Sequence, residues 1–139
     1  MSFRLYAAAL VLSLMAVGLM GCGGSSGVST STKSLNGDYT GTFAGSTNGV
    51  SESGTLSWTI DKSGALTGIA HSNTTAADAT VTGTVSMTGV VAATFTYPAA
   101  TYTISGTVNK ASTGHLIGSL TESVGASAIG TILIDLGPR

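Results

Sequence analysis

The two histidines of this 139-residue chain are its first candidates for chemistry. His71 and Asp78 flank the loop 72–77, and a base with an orienting acid beside a serine would imitate the arrangement of a hydrolase. Nothing around the pair marks a nucleophile or an oxyanion hole, so we expect a solvated pair at the edge of the fold. We predict no catalytic residue and no enzyme, with hydrolysis kept as the last alternative.

The sequence also offers few residues that could bind a metal or a cofactor. His115 follows Gly114 without a neighbouring Cys, His or acid at ligand spacing, so no metal site and no cofactor are predicted. Segment 23–27 matches the G-x-S-x-G pattern around Ser25, but that motif requires a strand before it and a helix after it. Here an apolar run precedes it and a serine-rich stretch follows, so we interpret the match as chance.

The composition excludes two classes of protein. Only 8% of the residues are charged, and the formal net charge is −1; an average soluble domain is about 25% charged. Five lysines and arginines scattered through the chain cannot neutralise a run of phosphates, which excludes a nucleic-acid-binding stripe. The low net charge also excludes a highly charged disordered tail.

The amino-terminal residues predict an export signal. Arg4 precedes the apolar run 5–19, and about fifteen residues suits a signal peptide but is short of the roughly 20 that span a bilayer. Leu19, Gly21 and Cys22 close this run and resemble the lipobox of bacterial lipoprotein precursors, in which an aliphatic and a small residue precede an obligatory cysteine. The alternatives are a plain secretory signal or a short core helix with a buried cysteine.

The lipoprotein resemblance implies cleavage before Cys22, a diacylglycerol on its sulfur and an acyl chain such as palmitate on its new amino terminus. It also implies sorting to the outer membrane, with the domain outside the cytoplasm, because Gly23 stands where an aspartate would retain the protein. Several acyl chains, at about 0.8 kcal/mol per buried methylene, make such an anchor stable. We divide the chain into a signal peptide (1–21), a lipidated cysteine with a flexible Gly/Ser/Thr tether (22–34) and a β-domain (35–139).

Period-two alternation dominates the domain and predicts strands. Hydroxyl and apolar side chains alternate without a break in 55–60 and 101–105. A five-residue pattern with a central glycine recurs, with its glycines at positions 41, 54, 68, 83, 106, 118 and 130. An eighth strand, 90–97, fills the one gap of double length. The residues two before and two after each glycine are mostly large and apolar, so we expect the glycines to face the core and let the strands coil.

Short turn signals between these strands favour antiparallel neighbours in chain order. We predict an all-β domain in which an eight-stranded up-and-down meander closes, or nearly closes, into a small barrel, with a two-sheet β-sandwich as the alternative. The outward positions are mainly serine and threonine, the opposite of the lipid-facing side of a transmembrane barrel. The last strand, 129–136, is apolar on both faces and is expected to pack under the tether or against another subunit.

A second resemblance concerns the first strands. The stretch 35–43, followed by 64–68, resembles the first strands of avidin-type barrels, which implies a small meander barrel. Trp58 is the only tryptophan of the chain, so the later half lacks the tryptophans that wall the biotin pocket in that family. No binding residue is carried over, and biotin binding is not expected.

Large side chains at inward positions are expected to fill much of the barrel; they are Phe43, Trp58, Met87, Phe95 and Tyr102. Of these, Trp58, Phe95 and Tyr102 are our candidates for contacting a ligand.

The predicted function is that of a lipid-anchored envelope lipoprotein with a non-catalytic structural or interaction domain. The alternative is a small barrel carrier of an apolar molecule. Expected partners are the membrane, through the anchor, and either an envelope protein or a small apolar ligand. A packed interior would defeat the carrier, whereas an open apolar pocket of several hundred Å³ would support it.

Overall fold

The computed structural model describes residues 34–139. The predictions of a signal peptide, of recognition residues Leu19 and Gly21, of lipidation at Cys22 and of a tether up to residue 33 concern residues outside the described part of the chain. No helix within residues 34–139 is long and apolar enough to cross a membrane. The described part consists of eight strands: β1 (Gly37–Thr47), β2 (Val50–Ile60), β3 (Ala65–Ser72), β4 (Ala77–Val85), β5 (Val90–Thr96), β6 (Thr101–Lys110), β7 (Leu116–Val124) and β8 (Ser127–Pro138).

The strands form a closed antiparallel barrel in chain order, β1 to β8. β1 closes it by pairing with β2 on one side and β8 on the other, so that Thr42 lies opposite both Thr55 and Asp135. The predicted all-β meander barrel is confirmed. The sandwich alternative is wrong, because pairing of the first strand with the last leaves one continuous sheet without an edge.

The interior of the barrel is filled with apolar side chains. Strand alternation sends every second side chain inward, and Tyr39, Leu56, Leu120 and Ile132 are each at most 1% exposed. Trp58 and Phe95, predicted to be inward, are also buried.

One predicted core residue is wrong. Met87 is 87% exposed, because β4 ends at Val85 and Met87 lies at the outer corner of the following turn. The alternation that would have turned its side chain inward has stopped by that point.

In the last strand, β8, the side chains of Ile132, Ile134 and Leu136 are buried, whereas that of Leu133 is exposed.

The inward glycines allow neighbouring strands to approach and coil. A Cβ atom at Gly41 would clash with the carbonyl oxygen of Asp135 on β8, and one at Gly68 would clash with the carbonyl oxygen of Ser57 on β2. Glycine at such positions permits the sharp strand curvature that a small barrel needs.

The barrel has two different ends. At the entry end, defined by residues 34–36, the turns 61–64, 86–89 and 111–114, and Arg139, the described chain begins and finishes. Each of these three turns spans four residues, closes with a hydrogen bond from its final N–H to its first carbonyl, and finishes with a glycine at φ between +85° and +88°. Glycine suits this left-handed backbone because it has no Cβ.

The mouth is the opposite end, defined by the connections 48–49, 73–76, 97–100 and 125–126. Its first connection is Asn48-Gly49, with φ of +50° and +76°, the backbone preferred by two-residue hairpin loops. Residue 98 is a proline, which cannot donate to a strand ladder, and β5 ends two residues before it. The mouth connections therefore come in two lengths, two residues in 48–49 and 125–126 and four residues in 73–76 and 97–100.

Candidate functional site

An open cavity of about 310 Å³ lies at the mouth. Its walls come from the β3–β4 and β5–β6 connections and from the adjacent ends of β1, β2, β4 and β6. Apolar and aromatic groups of Val50, Pro98, Tyr97 and Tyr102 line it, together with the carboxylate side chain of Glu52. This volume lies at the lower end of the range for small-molecule sites.

Two tyrosines form the aromatic wall of the cavity. The rings of Tyr97 and Tyr102 meet edge to face, with centroids 5.8 Å apart and planes at 75°. The turn that follows β5 positions Tyr97, whose backbone N–H donates to the carbonyl of Ala100 at 2.8 Å. Burial first, and then the negative charge of Glu52, raises the pKa of Tyr97 to about 12. The phenol therefore stays neutral, with a proton to donate, across the physiological range.

A hydroxyl links two carboxyl groups beside the tyrosines. Thr47 Oγ1 lies 2.8 Å from Glu52 Oε2 and also contacts Glu122 Oε2. Glu122 is only 3% exposed, and burial raises the pKa of its carboxyl group, while the hydrogen bond with Thr47 opposes the shift and the charge of Glu52 adds to it.

The Thr47 hydroxyl carries one proton and can donate to only one carboxylate. A second proton on the more buried acid satisfies all three groups: Glu122 donates to Thr47 Oγ1, and Thr47 donates to Glu52. In this arrangement Glu52, the acid that lines the cavity, accepts the hydrogen bond from Thr47.

Charge is distributed unequally between the two ends. Within residues 34–139, Lys62, Lys110 and Arg139 all lie at the entry end, where Asp38, Asp61 and Asp135 also lie. The acids of the mouth are Glu52, Asp78 and Glu122, and no lysine or arginine of the described chain accompanies them. The mouth is therefore the electronegative end.

The entry end is closed by the first described residues. The hydroxyl of Tyr39 donates to the carbonyl of Leu35 at 3.0 Å, and Leu35 packs against the core. Lys110 Nζ donates to the carbonyl of Ser34 at 3.1 Å and lies 5.4 Å from the Tyr39 ring centroid. A cavity of about 340 Å³ also lies here, between this segment and the turns 61–64 and 86–89.

Of the three predicted ligand contacts, the structure brings only Tyr102 to the mouth cavity. Trp58 and Phe95 are each 1% exposed and belong to the core. The indole Nε1 of Trp58 is buried with no hydrogen-bond partner among the described residues.

The predicted histidine pair does form. His71 Nδ1 lies 2.6 Å from Asp78 Oδ1, across the β3–β4 ladder and exposed to solvent. Within residues 34–139, no serine or threonine hydroxyl hydrogen-bonds to His71, so the described contacts provide no activated nucleophile.

A second histidine pair was missed by the sequence analysis. His115 Nδ1 lies 2.7 Å from Asp135 Oδ1 at the entry end. The acid comes from the neighbouring strand β8, so only the register of β7 against β8 could have revealed it. In the part of the chain that the structure describes, no three Cys, His, Asp or Glu side chains come together in a metal-binding arrangement.

The sequence analysis also missed Thr47, Tyr97 and both glutamates of the mouth. A signal for the glutamates exists in the strand alternation. Glu52 is in phase with the inward Leu56, and Glu122 is in phase with the inward Leu120. An acid at an inward strand position is unusual because burial of a charge is costly.

No family model matches this chain, and neither a curated protein nor a solved structure does. The chemistry of the mouth is therefore derived from its own side chains: an apolar cavity, two tyrosines and a carboxylate on one wall.

Proposed function

We propose that this protein is a lipid-anchored envelope protein whose barrel binds a small, largely apolar ligand at its mouth. The observation that supports this function is the open cavity of about 310 Å³ with apolar and aromatic walls. Ligand sites are commonly concave, mostly apolar and fitted with a few polar groups that orient the ligand. Glu52, Tyr97 and the hydroxyl residues Thr47, Ser51, Thr74 and Thr75 bring polar groups to the lining here.

The ligand is bound at the mouth and not within the barrel. Large side chains such as Trp58 and Phe95 fill the interior, and eight-stranded barrels are narrow enough to be closed in this way. The carrier alternative from the sequence placed its ligand inside the barrel, and the filled interior counts against it. The site proposed here lies at the open end instead.

The anchor part of the proposal rests on Leu19, Gly21 and Cys22 and on the apolar run before them. It agrees with the direction of the chain, since residue 34 joins the barrel at the entry end, opposite the cavity. A ligand can then reach the mouth without passing the point where the chain enters.

The test is a thermal-shift screen of the full-length protein in nonionic detergent against small apolar and amphiphilic compounds. We expect compounds that raise the Tm of the wild type, and we expect Ala99→Trp, which fills the cavity, to weaken their binding more than tenfold. Ser112→Trp places the same ring on a turn at the entry end and should leave binding unchanged. A screen without a stabilising compound, or equal binding by both variants, contradicts a ligand site at the mouth.

A structural or interaction domain is the second candidate, and the filled interior supports it. Ile117 and Leu133 are also exposed on the adjacent strands β7 and β8, where a partner protein could bind. Ile117→Asp together with Leu133→Asp would abolish capture of such a partner by cross-linking in envelope preparations, whereas the Ala99→Trp change would not.

A further inference from the structure

The mouth cavity combines a carboxylate, an aromatic pair and a surplus of negative charge. Building on the proposed function, we propose that this cavity selects a monovalent organic cation, an amine or quaternary ammonium group on an apolar body, with Glu52 as its counter-ion and the rings of Tyr97 and Tyr102 as its wall.

The first step is the charge of the mouth. Its acids have no lysine or arginine near them among residues 34–139, because the described cations all lie at the entry end. Strands of this length separate the two ends by on the order of 25 Å. Exposed charges are screened over about 8 Å at physiological ionic strength, so the cations at the entry end do not neutralise the mouth.

The second step is the identity of the counter-ion. Asp78 is already paired with His71 at 2.6 Å, outside the cavity. Glu52 lines the cavity, is half-buried and takes part in no ion pair within the described residues; its hydrogen bond comes from the neutral hydroxyl of Thr47. A half-buried carboxylate without a cation is stabilised when a ligand brings one.

The third step is the number of charges. Glu122 and Glu52 both contact the hydroxyl of Thr47, which can donate to only one of them, and burial raises the pKa of Glu122. With a proton on Glu122, the pair would present a single negative charge, which matches a ligand with a single positive charge.

The fourth step is the aromatic wall. A cation is attracted to the face of a tyrosine ring by the negative charge of the π-system, and organic ammonium groups are recognised in this way in aromatic cages. Tyr97 and Tyr102 meet at 75° and so offer surfaces of different orientation to the same cavity. The apolar remainder of the ligand would lie against Val50 and Pro98.

A divalent metal ion fits the site less well. Ca²⁺ takes six to eight oxygen ligands and Mg²⁺ needs a near-octahedral set. Within residues 34–139 no group of three potential metal ligands is assembled, and tyrosine and proline surfaces occupy the wall that such ligands would need.

The experiment is calorimetric titration of the full-length protein in nonionic detergent, with a detergent blank. Benzyltrimethylammonium is compared with its neutral carbon isostere 2,2-dimethylpropylbenzene and with the anion phenylmethanesulfonate, which keep a similar ring and size. We expect the cation to bind at least tenfold more tightly than the neutral isostere, and the anion to bind more weakly than either.

Two variants assign the effect to Glu52. Glu52→Gln should weaken binding of the cation at least tenfold and binding of the neutral isostere by much less, while Asp38→Asn makes the same charge change at the entry end and should alter neither. Tyr102→Leu keeps an apolar wall and should weaken binding of the cation more than that of the isostere.

Each contrary result has a distinct meaning. Equal binding of the cation and the isostere, unaffected by Glu52→Gln, overturns the selection of a cation and leaves the proposed apolar site intact. Failure of all three probes to bind, together with an empty compound screen, contradicts the proposed function itself. Calcium chloride that displaces benzyltrimethylammonium from the wild type but does not bind Glu52→Gln would show a metal site in place of the organic-cation site.

Discussion

The entry end and the mouth are built from the same strands but connected in different ways. At the entry end the three turns 61–64, 86–89 and 111–114 repeat one geometry, each finishing with a left-handed glycine. None of the four mouth connections is a four-residue turn that finishes with a left-handed glycine, and one contains the sequence Tyr97-Pro98. Uniform turns fix a scaffold, whereas irregular connections on a rigid scaffold are the usual place for binding residues.

The cavities at the two ends have similar volumes, about 340 Å³ and about 310 Å³, but differ in chemistry. Asp61 is the acid that lines the entry-end cavity. Its side chain accepts hydrogen bonds from the backbone N–H groups of Ser63 at 2.8 Å and of Ala65 at 2.9 Å. The acid at the mouth, Glu52, faces the cavity beside two aromatic rings. The two cavities are therefore distinguished by the surroundings of their acids and not by their volumes: Asp61 is hydrogen-bonded to backbone N–H groups, whereas Glu52 lies beside two aromatic rings.

Replacement of Cys22, the predicted lipidation site that precedes the entry end in the sequence, should give the largest effect, a complete loss of membrane attachment. Cys22→Ser eliminates the sulfur that would carry the diacylglycerol, so we expect complete loss of palmitate incorporation when the protein is expressed with labelled palmitate in a bacterial host. Intact mass should show the wild type without residues 1–21 but with added lipid, and the variant with neither change. Binding at the mouth should be retained. An unlabelled wild type that still carries residues 1–21 would contradict the proposed anchor.

Replacement of the buried acid at the mouth should give an intermediate effect. The pKa of Glu122 is raised above its ordinary value of 4.5 in the folded protein. Its contribution to stability is therefore fully present below that value and is lost as the pH rises through the raised pKa. Glu122→Gln imitates the protonated acid, so we expect a Tm near that of the wild type at pH 4 and a few degrees above it at pH 8.

The measurement is the Tm of both proteins between pH 4 and pH 9. The control is Glu52→Gln, which changes the other acid that contacts Thr47 and is measured over the same pH range. Parallel pH profiles for the wild type and Glu122→Gln would contradict the proton shared through Thr47.

Replacement of the acid at the entry end should give the smallest effect, with the opposite sign. Hydrogen bonds from Ser63, first its side chain, and from the Ala65 N–H lower the pKa of Asp61 below 3.8. Its contribution is present above pH 3.8 and is lost as the pH falls through the lower, folded value. Asp61→Asn should therefore lower the Tm slightly at pH 6 and converge with the wild type near pH 2. A variant that is less stable by the same amount at both pH values would show that the turn, and not the charge, is responsible.

The barrel itself was readable from the sequence. Alternation in 55–60 and 101–105 fixes which side chains face inward, and the spaced glycines identify strands that coil. The error at Met87 has a local cause, since it occupies the turn position that the hydrophilic Lys62 and Ser112 occupy in the other two turns at this end. Hydrophobicity was mistaken for burial at a position where the backbone decides exposure.

The site was much less readable. Thr47 and Glu122 are 75 residues apart, and their contact depends on closure of the last strands against the first. Tyr97 was placed at the end of a strand, but its role depends on the turn at Pro98, which brings the ring against Tyr102. The glutamates were visible only as acids in phase with core positions, a signal that needs the barrel to be assumed first.

Pairing of β1 with β8 places the two ends of the described chain side by side, with the Arg139 N–H donating to the carbonyl of Asp38 at 2.9 Å. A reporter protein fused after Arg139 would consequently extend from the entry end and leave the mouth unobstructed. The four mouth connections could also be exchanged for loops of other sequences while the ladder and the chain ends stay fixed. The domain could therefore serve as a display scaffold, with exchangeable loops at the mouth and both ends of the described chain at the entry end.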